Sequence, residues 1–393
     1  MINNFLYLIL LIFCFKRFHN HKYFSNYIYD LPIIFGFALT SIGMLCYNLD
    51  ISPINLNSTR QLYINSNSLN DAFITSLIFV FGLIITLKKP QESNFYQSGN
   101  YFHVLSIVVI FISSFIINGT ELVLSGGYGT ENFKTERWGG WALLFILSAA
   151  NLISNINKYK IVKPILIFVS LYWFFAGNRS EILMLIVFLV FYKKMDKKIS
   201  MLKIILPSTI LLFLFDLLGR LRSAGITLQS IINNISNPTY IKEGTLSIST
   251  VGSSFYTLIA TQAIAKENGF QYGKTYLAYL INSVPSFIPQ AWDKVKDIAW
   301  FTEEAGTIGG SLLYSEAYLN FGNMGVLIFG SIFGYFWRII WVKSNKSSLT
   351  NIFLISLIIY FQRYFLYGFV YLWKTILLFS SLHFLSFLIK KSK

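Results

Sequence analysis

Six of the eight arginines, Arg60, Arg137, Arg179, Arg220, Arg222 and Arg363, fall on one side of the apolar segments, while most lysines fall on the other. A guanidinium is a planar, permanently charged fork that takes two phosphate oxygens at once, which a lysine cannot do. Several of them at one membrane edge suit a pyrophosphate carried on a lipid. The plainer alternative is that each pairs with a nearby carboxylate or extends to the interface. Acid–base work falls to carboxylates, because His19, His21, His103 and His383 all lie in or near the opposite half of the bilayer. The candidates are Glu304 with Glu303 beside it, Glu316, Asp216 and Glu181. Asn320 follows Glu316 by one helical turn, so the two share a face. The chain has no D-x-D spacing for a metal-bound sugar diphosphate, and Cys14 and Cys46 both fall in apolar runs. No metal and no cofactor is expected.

What positions these residues is a membrane-embedded scaffold. Hydrophobic residues make up 54% of the chain and charged residues only 12%, against about 25% charge in soluble domains. Eleven apolar runs are long enough to read as spans, near 2–15, 27–48, 69–87, 101–118, 139–156, 161–176, 181–192, 201–219, 311–342, 351–369 and 371–389. Residues 2–15 have no basic stretch before them and no small-residue cleavage site after them, so they read as a retained span. The expected fold is an all-α polytopic membrane protein in three parts: an N-terminal bundle over 1–219, a large loop over 220–310, and C-terminal spans over 311–393.

Nineteen of the 32 basic residues lie in one set of connections, from Lys16 and Arg17 to the tail Lys390, Lys391 and Lys393, with only Asp30, Glu92 and Asp196 among them. Such a fringe marks the cytoplasmic side and puts the long loop outside. The +15 net charge is thereby explained by topology and anionic headgroups, and a nucleic-acid partner is not implied. Six tryptophans, Trp138, Trp141, Trp173, Trp292, Trp300 and Trp373, fall on the outer side and read as an interfacial belt.

The loop is partly helical by its spacing. Ile226, Leu228, Ile231, Ile232 and Ile235 predict one amphipathic helix. Val251, Phe255, Leu258, Ile259 and Ala263 predict a second, stopped at Asn268-Gly269, and Tyr276–Ile281 a third, ended before Pro285 and Pro289. These helices suit an outer-leaflet surface, apolar faces down. Gly177-Asn178-Arg179-Ser180-Glu181 joins two apolar runs of about 15 residues, which makes it a hairpin tip at membrane depth, where charges are costly and serve a site or pair with each other.

Three segments in order, GNRSE at 177–181, Gly273-Lys274-Thr275-Tyr276 followed by Pro285 and Pro289, and GGS-x-x-x-S-E-A-Y-x-N-F-G-x-x-G from Gly309 to Gly325, together resemble the O-antigen polymerases (Wzy). The resemblance covers roughly 170–370 by motif and the rest by topology. It implies a GT-C-like glycosyltransferase architecture with the large loop in the periplasm and the chain in the bacterial inner membrane. It implies transfer of a growing glycan from undecaprenyl diphosphate to the non-reducing end of a new lipid-linked repeat unit. Donor and acceptor are then both undecaprenyl-diphosphate-linked glycans, membrane lipid surrounds the enzyme, and a chain-length regulator is a further partner. Arg179, Arg220, Arg222 and Arg363 would bind pyrophosphate or glycan, and Glu304 and Glu316 would be catalytic. Displacement at the anomeric carbon would invert its configuration.

Two rivals differ in what they need. An O-antigen ligase typically carries a histidine in its large periplasmic loop, and this loop has none. A repeat-unit flippase has no need of a 91-residue outer loop. A reporter active only outside the cytoplasm is expected to be active when fused after Asn268 and silent when fused after Lys197. The reverse pattern would overturn the orientation.

Overall fold

The computed structural model describes residues 2–49, 64–88, 103–118, 139–156, 158–175, 180–192, 250–282, 311–366 and 368–391, with isolated positions between 195 and 232. Among them the protein is helical, with no strand beyond one isolated bridge, Tyr23 to Lys198. In chain order the helices are α1 Ile2–His19, α2 Phe24–Tyr29, α3 Leu31–Leu49, α4 Ser66–Thr86, α5 His103–Asn118, α6 Gly139–Ser154 and α7 Val162–Phe175. They continue with α8 Ser180–Tyr192, α9 Thr250–Asn268, α10 Lys274–Asn282, α11 Ser315–Ser344, α12 Ser348–Ile359, α13 Phe361–Leu366 and α14 Phe369–Lys391.

Three stretches are long and apolar enough to cross a membrane, Leu31–Asn48, Ser66–Thr86 and Ser315–Ser344, and shorter apolar helices run over His103–Ile117, Trp141–Ser154, Val162–Trp173 and Ser348–Ile359. An all-α membrane protein is what these helices fit. Three of the expected spans are interrupted. The run 27–48 divides at Asp30 into α2 and α3, and 351–369 divides at Tyr360 into α12 and α13. The run 311–342 bends at Phe321-Gly322, where Gly322 takes φ 63. Apart from the isolated helical positions 202, 203, 206 and 232, the expected span at 201–219 and the expected helix at 226–235 lie outside the described residues.

Two groups of helices make the bundle. α3, α4, α9 and α11 pack together with α1 beside them, while α5 to α8 pack on one another and meet the first group through α12 and α13. α4 and α11 approach at backbone distance because glycines line both sides. A Cβ on Gly82 would lie 2.7 Å from the Leu327 carbonyl oxygen, and one on Gly330 would lie 2.7 Å from that of Phe79. Gly330 and Gly334 thus form a small-residue seam of the kind that replaces hydrophobic driving force inside lipid. In the second group, Trp173 donates from Nε1 to Ser114 Oγ at 2.8 Å and Asn151 Nδ2 donates to Ser106 Oγ at 2.7 Å.

α9 corrects an expectation. Its span and its stop agree with the sequence, with Gly269 at φ 77. It does not lie on a surface, however. Ser254 through Gln262 are buried without a break, and the Phe255 ring is pressed to within 2.7 Å of a Cβ built on Gly43 of α3. A helix from the polar stretch of the sequence is therefore a core member of the bundle.

The basic connections gather at one end. Arg17 forms a two-pronged ion pair with the fully buried Asp30, Nε to Oδ2 at 2.5 Å and Nη2 to Oδ1 at 2.6 Å. It also donates to the carbonyls of Leu87 and Lys88 at 2.9 and 3.0 Å. His21 Nε2 lies 2.8 Å from Asp30 Oδ2, and Trp337 donates to the Tyr29 carbonyl at 2.9 Å. The backbone of Ile199 donates to Lys22 O at 3.3 Å. Connections assigned to one side from their lysines thus meet in space. Removing one partner of a buried pair leaves the other charge stranded, a loss of roughly 3–5 kcal/mol. Asp30→Ala is expected to lower the melting temperature in detergent far more than Lys266→Ala, which breaks only the exposed Lys266–Asp71 pair. Equal melting curves would refute that role.

Candidate functional site

The end opposite the Arg17 cluster is organised around Asn320. The break at Phe321-Gly322 stops the first turns of α11 and leaves their last carbonyls without helical partners. The chain between α9 and α10 supplies the missing donors: Gln271 N–H donates to Leu319 O at 3.0 Å and Tyr272 N–H to Asn320 O at 3.1 Å. The Asn320 side chain completes the junction. Its Oδ1 accepts from Gly273 N–H at 2.7 Å, and its Nδ2 donates to Thr275 Oγ1 at 2.6 Å and to Glu316 O at 2.8 Å. A carboxamide carries two donor hydrogens and an acceptor oxygen on one side chain, as this junction needs. The segments 273–276 and 311–325, far apart in the sequence, are one structural unit.

Glu316 sits on the same helix face, 2% exposed. Its neighbour across the junction is Tyr276, whose hydroxyl pKa is pushed up by burial and further by the Glu316 carboxylate. The edge of the Tyr276 ring meets Phe369 of α14, with centroids 5.4 Å apart. Ser315 is fully buried, and its Oγ has no hydrogen-bond partner among the described residues. The same holds for Oε1 of Gln262 on α9, whose Nε2 donates to Thr75 Oγ1 at 2.8 Å. Thr75 in turn donates to Asn323 Oδ1 at 2.8 Å, and Ser76 shares a hydrogen bond with the Tyr314 hydroxyl at 2.8 Å. This polar chain joins α9, α4 and α11 just beneath the junction.

Arg363 lies on α13 and is 8% exposed. Its helix is tied to the start of the 311–325 segment: Ser311 N–H donates to Leu366 O and Leu313 N–H to Phe365 O, both at 3.0 Å. Ser254 Oγ of α9 also donates to Leu366 O, at 3.3 Å. Glu316 and Arg363 are therefore carried by segments pinned at the same end of the bundle, each largely withdrawn from solvent.

The other candidates, Arg179, Arg220, Arg222, Glu303, Glu304 and Asp216, lie outside the described residues, as do Arg60 and Arg137. Among the described residues no cluster of His, Cys, Asp or Glu could hold a metal ion. Thr75, Ser76, Gln262 and Asn323 are not among the candidates that residue type and spacing mark in the sequence. Their signal was present as hydroxyl and amide groups inside otherwise apolar runs, which in membrane helices mark contacts between helices. A withdrawn carboxylate beside a phenol, with the Ser315 hydroxyl on the adjoining residue, can orient a hydroxyl-bearing ligand.

Comparison with known protein families, curated proteins and solved structures finds no match to this chain.

Asn320→Ala removes one acceptor and two donor contacts at a buried position, where each stranded group costs about 1–3 kcal/mol. The amides of Gln271, Tyr272 and Gly273 are expected to exchange hydrogen at least about tenfold faster in that variant, since 1.4 kcal/mol is a factor of ten. Unchanged exchange would show that the junction does not depend on the side chain.

Proposed function

We propose that this protein polymerises polyprenyl-diphosphate-linked oligosaccharide repeat units by block transfer, on the outer face of a bacterial inner membrane. The observation that carries the reading is the Asn320 junction. It joins two of the three segments on which the resemblance to O-antigen polymerases rests, with Glu316 buried beside it. In this reading the acceptor sugar hydroxyl attacks the anomeric carbon of the donor glycan, and the bond from that carbon to the diphosphate oxygen breaks. The lipid diphosphate leaves with the bonding electrons, and the hydroxyl proton passes to a carboxylate. Arginines that neutralise the departing charge act best away from bulk water. Arg179, Arg220, Arg222 and Arg363 have that role. Glu304 is the proposed base, and Glu316, held deeper, orients the acceptor.

The test is deletion of the gene followed by a gel of the cell's lipopolysaccharide. Loss of polymerisation leaves core capped with one repeat unit, whereas loss of a ligase or flippase removes that single unit as well. Restoring the gene with Arg179→Ala, Arg220→Ala or Arg222→Ala is expected to weaken the ladder about ten- to a hundredfold, from loss of a charge-assisted contact worth roughly 1.5–3 kcal/mol. Lysine at the same positions is expected to restore it only in part. Wild-type ladders from all three alanine variants would remove the phosphate clamp.

A further inference from the structure

Beyond the elbow, α11 from Gly322 to Ser344 is roughly 34 Å long at 1.5 Å per residue, enough for a hydrocarbon core of about 30 Å. One of its faces turns away from the bundle: Phe321, Met324, Ile328, Ile332 and Tyr335 recur every three or four residues and are each 46–65% exposed. The face carrying Gly330 and Gly334 is the one packed on α4. The outward stripe continues past the end of the span onto the chain between α9 and α10. The Phe270 ring lies 3.0 Å from a Cβ built on Gly322, and the Phe321 ring lies 3.5 Å from one built on Gly273. Phe270, Tyr272 and Leu277 are 40%, 76% and 58% exposed, with Lys274 exposed between them.

Tyr272 presents its ring at a backbone cost. Its φ of 49 is in the left-handed region, which a bulky residue rarely takes. The position is enforced by its N–H on Asn320 O and by Gly273 following at φ 88. An exposed aromatic held in a strained conformation calls for a partner.

We infer that the Phe270–Leu277 segment is a bilayer-interface anchor. Phe270, Tyr272 and Leu277 insert among the phospholipid acyl chains just below the headgroups, and Lys274 extends to the phosphates. Three observations select a lipid surface over a sugar or a protein. The ridge is continuous with the acyl-facing stripe of α11. It sits beside the elbow, next to Asn323, a polar residue that stays exposed while its Oδ1 accepts from Thr75. It combines tyrosine with lysine, the pair that favours the interface. Because Asn320 fixes this ridge to the helix of Glu316, the anchor also sets that carboxylate near headgroup depth. The inference stands without the glycosyl-transfer reading.

The test places a nitroxide at position 272 (Tyr272→Cys) and, separately, at 277 (Leu277→Cys), in protein carrying Cys14→Ala and Cys46→Ala. The protein is reconstituted in phosphatidylcholine vesicles containing phosphatidylglycerol. Collision with dissolved oxygen and with an aqueous nickel chelate is compared with labels at Ile328→Cys in the hydrocarbon and Lys198→Cys in water. Labels at 272 and 277 are expected to be several-fold less accessible to nickel than the one at 198, at a depth of roughly 5–10 Å below the headgroups. Nickel access equal to that at 198 would overturn the anchor. A second measurement uses the unaltered protein with phospholipid carrying a photoreactive group near the glycerol backbone. Adducts on the 269–278 peptide are expected, and adducts confined to other peptides would overturn the inference.

Discussion

A helix that crosses a bilayer must satisfy its own backbone, because lipid offers no hydrogen bonds. α11 departs from this at Phe321-Gly322, and the rest of that end of the bundle follows from how the departure is repaired. The carbonyls freed at Leu319 and Asn320 take N–H groups from Gln271 and Tyr272. The connection between α9 and α10 is therefore part of α11's hydrogen-bonding pattern. Gly325 makes the repair possible on the other side of the elbow, since any Cβ there would collide with the Ala317 carbonyl. Glu316, Tyr276 and Thr275 gain fixed positions from this junction and not from a rigid stretch of regular helix.

The two ends of the bundle are built by different chemistry. At the basic end a buried carboxylate, Asp30, collects Arg17 and His21, and Arg17 closes two further carbonyls. At the Asn320 end the bonds are amide and hydroxyl contacts, with Gln262, Thr75 and Asn323 continuing inward. Neutral contacts of this kind tolerate rearrangement better than a buried ion pair, whose separation strands charge.

Much of this was legible in the sequence. Apolar run length marked most of the described helices, and the Arg17, Lys22, Lys88 and Lys198 connections, grouped by their basic residues, do meet at one end. The stop at Asn268-Gly269 and the shared face of Glu316 and Asn320 were also readable. The burial of α9 was not. Its Ser254, Thr257, Thr261 and Gln262 make a polar face beside an apolar one, which reads as a surface helix. Polarity in a sequence does not tell whether the partners are water or, as for Gln262, a threonine on another helix. The elbow was hidden for a similar reason. Gly322 and Gly325 read as small residues for helix packing, and Gly330 and Gly334 do serve that purpose, so nothing local marked Gly322 as the one with positive φ.

The central claim is that the end of the bundle built on Asn320 serves glycosyl transfer between lipid-linked glycans. It is tested most directly by purified protein in vesicles supplied only with polyprenyl-diphosphate-linked repeat units, with glycan length and free polyprenyl diphosphate followed together. The account predicts that each repeat added to the glycan releases one polyprenyl diphosphate and leaves an inverted anomeric linkage, and that Glu316→Gln slows both in parallel. Movement of the substrate across the bilayer with no new glycosidic bond, or unchanged substrate from well-folded protein, would contradict it.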